Sequence, residues 1–342
     1  MNKKIIAIVA GGDSSEHEVS MKSAAGISSW LDRDKYEVYI IETRGLEWNA
    51  VLEDGTLSPV NRHDFSFMKG DEKINPDFAY ITIHGTPGEN GILQGYFELL
   101  GIPYSTCSVL TAALTFDKFA NNHYLRRFGV KVADSILLRA GQNITDDDVI
   151  KRVGLPCFVK PNGSGSSFGV SRVAKKEDIQ KAIEFARTEG GEVMIEAELK
   201  GTEIANGVFR KANGEIHVLP ITEVVSKNEF FDYDAKYNGQ VEEITPARLS
   251  PETTSRVKSL TKSIYTILGG NGIMRVDCII TKSVHEHGIL VENETPTVDV
   301  INLLEINATP GMTPTSFIPQ QAKADGLEMS YILDEVIASK LK

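Results

Sequence analysis

The sequence predicts an α/β and α+β protein: a first unit on a mostly parallel sheet, then two units that mix antiparallel strands with helices. Three observations lead there. Strand and helix signals alternate through the first hundred residues, as in a parallel sheet with crossover helices. Asn213-Gly214 lies between two apolar runs and marks a hairpin, which a purely parallel sheet cannot contain. The chain has 342 residues, 41% of them hydrophobic, enough for two or three cores of ordinary size.

Taken in order, the apolar run at 5–10 predicts a first strand that closes on Gly11-Gly12. A helix follows with Ala24, Ile27 and Leu31 on one face, and Ser15 and Glu18 have capping-box spacing at its start. Strands are expected at 38–41 and 78–83, and a helix through Ile92, Tyr96 and Leu99 stops at Gly101 before Pro103. The next stretch gives helix up to Gly129, a strand at 158–160, a Gly/Ser loop, and a helix with Ile179, Ala182, Ile183 and Ala186 along one side. Asp146-Asp147-Asp148 after Thr145 reads as a helix start favoured by the dipole, not as a metal site. Farther on, 208–212 and 215–219 flank Asn213-Gly214 with a type I′ hairpin signature. Ser250-Pro251 opens a helix striped by Val257, Leu260, Ile264 and Ile267, and Gly269-Gly270 ends it. The expected division is 1–106, 107–195 and 196–342.

A formal net charge of −11 argues against a broad nucleic-acid surface, so any phosphate site must be local. The run at 5–10 is too short for a signal-peptide core, and nothing later approaches a membrane span. Cys107, Cys157 and Cys278 form an odd, widely spaced set, read as reduced, partly buried fillers of a cytoplasmic protein.

Chemistry concentrates in a few places. In open parallel sheets ligands gather beyond the carboxyl ends of strands, where residues 11–16 and His84-Gly85 fall. The first glycine turn would also suit a dinucleotide fold, but the G-x-G-x-x-G spacing is missing. Residues 160–169 begin with Lys160 and are dense in Gly and Ser, so backbone N–H groups can approach a polyphosphate; a flexible surface turn is the alternative. Strand periodicity puts Arg275 beside Asp277 and Glu305 beside Asn307, either an oxygen cluster for a hard cation or a salt-bridged strand pair. The polar and aromatic segment 229–239 is long enough for a lid, or for an Ω-loop packed on itself.

In this order, from Gly11 to Ser316, the motifs resemble the D-alanine–D-alanine ligases of the ATP-grasp superfamily. Gly11-Gly12 with residues 16–20 resembles the opening signature, and residues 84–91 with Gln94-Gly95 the second. Residues 160–169 resemble the phosphate loop, 232–237 the lid, and 304–307 with 310–313 the metal strand and its turn. The resemblance implies a three-domain ATP-grasp fold, with ATP held between the central and C-terminal domains by Lys118, Lys160, Ser166, Ser167, Glu196, Leu199, Glu203 and Lys236. It implies two Mg²⁺ or Mn²⁺ ions on Asp277, Glu305 and Asn307. Glu16 would meet the ammonium of the first D-alanine, Arg275 and the Gly311 N–H the oxyanion, and Ser316 the second carboxylate, with His84 nearby. Glu16, Ser166 and Tyr237 would join the domains to the lid. The implied protein is a cytoplasmic homodimer that makes a peptidoglycan precursor dipeptide through an acyl phosphate. Asn90, Gly163, Ser164 and a long segment 282–301 depart from the family pattern. A D-lactate or D-serine ligase is the alternative within the class, and a nucleotide-binding regulator without turnover is the alternative outside it.

Overall fold

A computed structural model describes residues 3–163, 169–226, 241–284 and 297–341. The first unit contains β1 (Lys4–Gly11), α1 (His17–Trp30), β2 (Tyr36–Arg44), β3 (Glu47–Val51) and β4 (Leu57–Pro59). A small hairpin of β5 (Phe67–Lys69) and β6 (Glu72–Ile74) precedes β7 (Phe78–Ile81) and α2 (Ile92–Leu100). The sheet order is β4-β3-β2-β1-β7. β1 is parallel to β2 and β7, whereas β2, β3 and β4 run antiparallel, so the parallel part is narrower than predicted. Only residues 45 and 46 link β2 to β3, and so short a link cannot make a parallel crossover.

β1 reads as an unbroken apolar run because both its faces are buried. Ala7 and Val9 pack with Leu93 and Phe97, while Ile6, Ile8 and Ala10 pack with Ala24 and Ile27 of α1. The predicted capping box at Ser15 and Glu18 does not form: α1 begins after Glu16 with no side-chain cap. Ser14 takes over locally, accepting the Glu16 N–H at 3.2 Å and donating to the His84 carbonyl at 2.9 Å. A tertiary contact thus selects the hydroxyl one residue earlier.

The middle of the chain contains α3 (Val109–Phe116), α4 (Lys118–Arg126), β8 (Lys131–Val132), β9 (Ser135–Leu138), α5 (Asp146–Val153), β10 (Cys157–Pro161), β11 (Ser171–Val173), α6 (Ile179–Gly190) and β12 (Val193–Ala197). Four of these strands form an antiparallel sheet in the order β11-β10-β12-β9. Its Cys157, Val159, Val193 and Ile195 share a core with Val149 of α5 and with Ile179, Ile183 and Ala186 of α6. Thr145 caps α5 by accepting the Asp148 N–H at 3.2 Å, as the acidic run predicts.

The last part holds β13 (Thr202–Arg210), β14 (Ile216–Ser226), β15 (Val241–Ile244), α7 (Pro251–Ile267), β16 (Ile273–Val284), β17 (Thr297–Asn307), α8 (Phe317–Ala324) and α9 (Met329–Ala338). The sheet order is β15-β14-β13-β16-β17-β8, and Ala112, Leu125 and Val130 from the preceding stretch enter its core. The β13–β14 turn is not type I′, because only Gly214 has positive φ, at +89°. Gly214 N–H bonds the Lys211 carbonyl and Lys211 N–H the Glu215 carbonyl, so the connection has a single left-handed residue at the bulge. β16 and β17 pair out to Val284 and Thr297, extending the hairpin into the long segment 282–301. Glu292 and Glu294 lie outside the described residues.

One core unites the first and last parts. Ile6, Ile8, Phe78 and Tyr80 pack with Phe209, Met312, Ile318, Ile332 and Leu333. All three cysteines are fully buried, more than predicted, and free. Burial pushes the Cys107 and Cys157 thiols up, to about 12 and about 11. No described helix is long and apolar enough to cross a membrane.

Candidate active site

The site begins with a slipped register. Arg275 pairs with Asn307 and Asp277 with Glu305, which puts all four side chains on one face of the β16–β17 pair. The register then shifts so that Cys278 pairs with Leu303, leaving Leu304 as the extra residue. Without that bulge, Leu303 and Glu305, two residues apart, would share a face. With it, Ile301 and Leu303 face the core while Glu305 and Asn307 face a cleft.

The cleft holds about 390 Å³. Glu16 and His84 reach it from the ends of the first sheet, Lys118 from the start of α4, and Arg275, Glu305 and Asn307 from the sheet face. Gly311 and Ser316 reach it from the turn before α8. That turn is clamped to the first unit: Met312 N–H donates to Ser23 Oγ at 3.2 Å and Thr309 Oγ1 to the Ile83 carbonyl at 3.1 Å. A Cβ at Gly311 would sit 3.0 Å from Ser316 Oγ, so a side chain there would cover that hydroxyl.

Arg275 binds both carboxylate oxygens of Asp277, Nε to Oδ1 at 2.8 Å and Nη2 to Oδ2 at 2.7 Å. Burial opposes its charge, but Asp277, with Glu305 and Glu89 farther off, raises its proton affinity above the ordinary arginine value. Lys118 Nζ lies 3.7 Å from Glu305 Oε2. His84 is buried and its Nε2 has no hydrogen-bond partner among the described residues, a polar atom at the cleft wall suited to a ligand.

The other described residues of the predicted site lie on strands of the two later sheets and on the link between them. Lys160 on β10 and Glu196 on β12 face away from α5 and α6 and form a buried ion pair of 2.5 Å. Leu199 sits in the link from β12 to β13, and Glu203 lies on β13. None of these four lines the cleft, whereas Lys118 does. Ser166, Ser167, Lys236 and Tyr237 lie outside the described residues, as do the segment 229–239 expected to form a lid and residues 164–168 of the expected phosphate loop.

Glu89, which no motif singles out, lines the cleft and accepts the Gly85 N–H at 2.7 Å. Burial raises its pKa, against the opposing pull of His84 and Gly85. It falls within the same motif as His84, five residues on. Lys22, Phe116, Glu243 and Phe317 also line the cleft without a local motif. Phe317 lies under the Arg275 guanidinium, 5.1 Å from the ring centre.

Among the described residues no three His, Cys, Asp or Glu side chains cluster for a metal. The set at hand is two carboxylates and one amide oxygen, hard donors of the kind Mg²⁺ prefers. Arg275 reaches Asp277 Oδ2 through both Nε and Nη2 but Oδ1 through Nε alone, so Oδ1 keeps a lone pair for a cation.

An α/β unit that shares a core with a mostly antiparallel six-stranded sheet, beside a four-stranded antiparallel sheet, with a carboxylate-bearing strand face opening on a cleft, defines a ligase of the ATP-grasp fold. Residues 5–107 match the D-ala D-ala ligase N-terminus family and residues 124–338 the D-ala D-ala ligase C-terminus family. A D-alanine–D-alanine ligase of Phocaeicola vulgatus is 57% identical over 338 residues, 99% of each chain. Among solved structures, the D-alanyl-alanine synthetase A of Vibrio cholerae superposes with a TM-score of 0.84 at 26% identity, covering 100% of this chain and 99% of that one. The VanG D-Ala:D-Ser ligase of Enterococcus faecalis gives 0.82 at 30% identity, covering 99% of each. The chain belongs to the D-alanine–D-alanine ligase family.

Proposed function

We propose that this enzyme uses ATP to join two D-alanine molecules into D-alanyl-D-alanine through a D-alanyl phosphate, releasing ADP and phosphate, for peptidoglycan precursor synthesis. The observation that carries this reading is the face of Arg275, Asp277, Glu305 and Asn307, opposed across the cleft by Glu16 and His84. The 57% identity to a D-alanine–D-alanine ligase favours the dipeptide over a D-lactate or D-serine product.

In this reading the carboxylate of the first D-alanine attacks the γ-phosphorus while Glu16 holds its ammonium. The amine of the second D-alanine then attacks the acyl phosphate, and phosphate leaves. Arg275 and the Gly311 N–H are donors fixed in place before the oxyanion appears, so they lose little to reorganisation. Ser316 donates to the second carboxylate, with His84 beside it. Lys118 and Lys160 meet the phosphates; Glu196, Leu199 and Glu203 surround the rest of the nucleotide. Ser166, Ser167 and Lys236 complete that shell, and Tyr237 with Glu16 and Ser166 ties the lid down.

Asp277, Glu305 and Asn307 suit two Mg²⁺ or Mn²⁺ ions, which when bound offset the negative charge of the phosphates. We further assign three domains, 1–106, 107–195 and 196–342, a homodimeric assembly and a cytoplasmic site of action.

The test is D-alanine-dependent phosphate release from ATP and Mg²⁺, with the product identified by mass. The expected product is D-alanyl-D-alanine. Preferential incorporation of D-lactate or D-serine would move the substrate assignment, and absence of turnover with every D-substrate would overturn the enzymatic reading.

A further inference from the structure

We propose that Asn162 is a positioning residue that bolts the strand end carrying Lys160 to the helix start carrying Lys118, so that both lysines address one polyphosphate as a unit. The inference rests on the nucleotide placement proposed above and adds the element that sets the spacing of its two cations.

The geometry is a helix cap supplied from a distant strand. The first N–H groups of α4 have no partners within the helix. Lys118 N–H donates to the Asn162 carbonyl at 3.3 Å, and Phe119 N–H to Asn162 Oδ1 at 2.9 Å. Ala120 N–H goes to Asp117 Oδ1 at 2.9 Å, and Asn162 Nδ2 donates to that same oxygen at 2.8 Å. Asn162 is 2% exposed, and its N–H donates to the Glu192 carbonyl at 3.0 Å. Its Nδ2 reaches Glu192 Oε2 at 3.4 Å, and Arg139 holds that carboxylate from the other side at 2.8 and 3.0 Å.

Side-chain chemistry makes the position demanding. An amide accepts from a helix N–H and donates to a carboxylate at the same time, which neither Ala nor an ionised Asp can do. Ala would leave the Phe119 N–H unpaired; Asp would set a third carboxylate beside Asp117 and Glu192. The neighbouring residue adds a second contact, since a Cβ at Gly163 would lie 3.1 Å from a ring carbon of Phe116, which lines the cleft. Residues 160–163 are therefore seated on residues 116–119. Lys118 extends from this junction to within 3.7 Å of Glu305, and Lys160 stands two residues before Asn162.

The experiment uses the full chain and compares Asn162→Ala, Asn162→Asp, the double variant Asn162→Asp/Asp117→Asn, and Lys118→Ala as the reference for nucleotide placement. Calorimetry gives the affinity for Mg-ADP, and steady-state kinetics give KM for ATP and for D-alanine. Asn162→Ala is expected to weaken ADP binding and raise KM for ATP by up to about tenfold, the limit in which nucleotide binding must re-form the junction that the lost cap loosens, with KM for D-alanine unchanged. Asn162→Asp should be weaker still near neutral pH and recover as acid protonates the new carboxyl. The double variant restores a carboxylate–amide pair in reversed order and should return ADP affinity to within about threefold of the parent. A purely structural Asn162 predicts a lower Tm with ADP affinity and KM for ATP unmoved, and that result overturns the proposal. If Lys118→Ala also leaves ADP affinity intact, the nucleotide placement itself falls, and the proposal with it.

Discussion

Arg275 and Asp277, two residues apart on β16, hold each other in a two-point ion pair directly across the ladder from Asn307 and Glu305. Asp277 is 6% exposed, so its charge depends on this partner. Replacing Arg275 with Met should lower kcat by about 100- to 1,000-fold, as expected for losing one fixed oxyanion donor. It should also cost about 3–5 kcal/mol of stability by stranding a buried carboxylate. Phosphate-release kinetics and thermal unfolding separate the two effects. An Asp277→Asn/Arg275→Met double variant should regain much of the stability and none of the turnover.

Glu305 and Asn307 face the cleft only because of the bulge at Leu304. If they hold metal, Asn307→Ala should raise the Mg²⁺ concentration for half-maximal turnover by about 10- to 100-fold, with the fold intact. A Mg²⁺ titration of phosphate release reads this directly. An unchanged midpoint would remove Asn307 from the ligand set. Chelation should stop turnover of the parent enzyme, with activity returning when Mg²⁺ is restored.

Glu89 gives a pH dependence with a definite sign. Burial raises its pKa above 4.5 in the folded chain, so the native state binds more protons than the unfolded one between 4.5 and that raised value. Its contribution is fully favourable below 4.5 and is lost as pH rises through the folded value. Glu89→Gln keeps an oxygen for the Gly85 N–H but cannot ionise, so the variant should gain stability relative to the parent across that window. Tm against pH for the two proteins is the measurement; parallel curves would contradict the assignment.

Gln321 is fully buried and fastens α8 to the sheet. Its Oε1 accepts the Gly207 N–H at 2.9 Å, and its Nε2 donates at 2.9 Å to the Ala205 carbonyl and to Thr222 Oγ1. Gln321→Met should cost about 2–4 kcal/mol, because several buried backbone and hydroxyl groups lose partners together. Ser316 sits at the start of α8, so KM for D-alanine should rise more than KM for ATP. Urea unfolding and substrate titrations test both halves.

Where structural information was local, the sequence displayed it. Thr145 and Ser250 cap the helices they were expected to cap, and Ile179, Ala182, Ile183 and Ala186 form one buried stripe. Arg275 and Asp277 share a face because a strand has a period of two. The misreadings occur where a distant partner changes the outcome. Ser14 replaces Ser15 at the start of α1 because the His84 carbonyl claims its hydroxyl, and Asn213 keeps a negative φ because Gly214 alone supplies the left-handed residue. Glu89 carries no local signal, because a carboxylate in a loop is ordinary until burial desolvates it.

By itself the sequence determined the order of strands and helices, the apolar faces and the family motifs, since these depend on residue type, spacing and backbone preference along a few turns of chain. Tertiary structure alone decided that Glu16, His84, Lys118, Glu305 and Ser316 share one cleft, and that Asn162 caps a helix begun 44 residues earlier. It also decided that the ladder slips at Leu304, turning Glu305 away from the core. Those facts depend on which surfaces bury each other and which distant donors and acceptors then meet, and no short stretch of chain contains them.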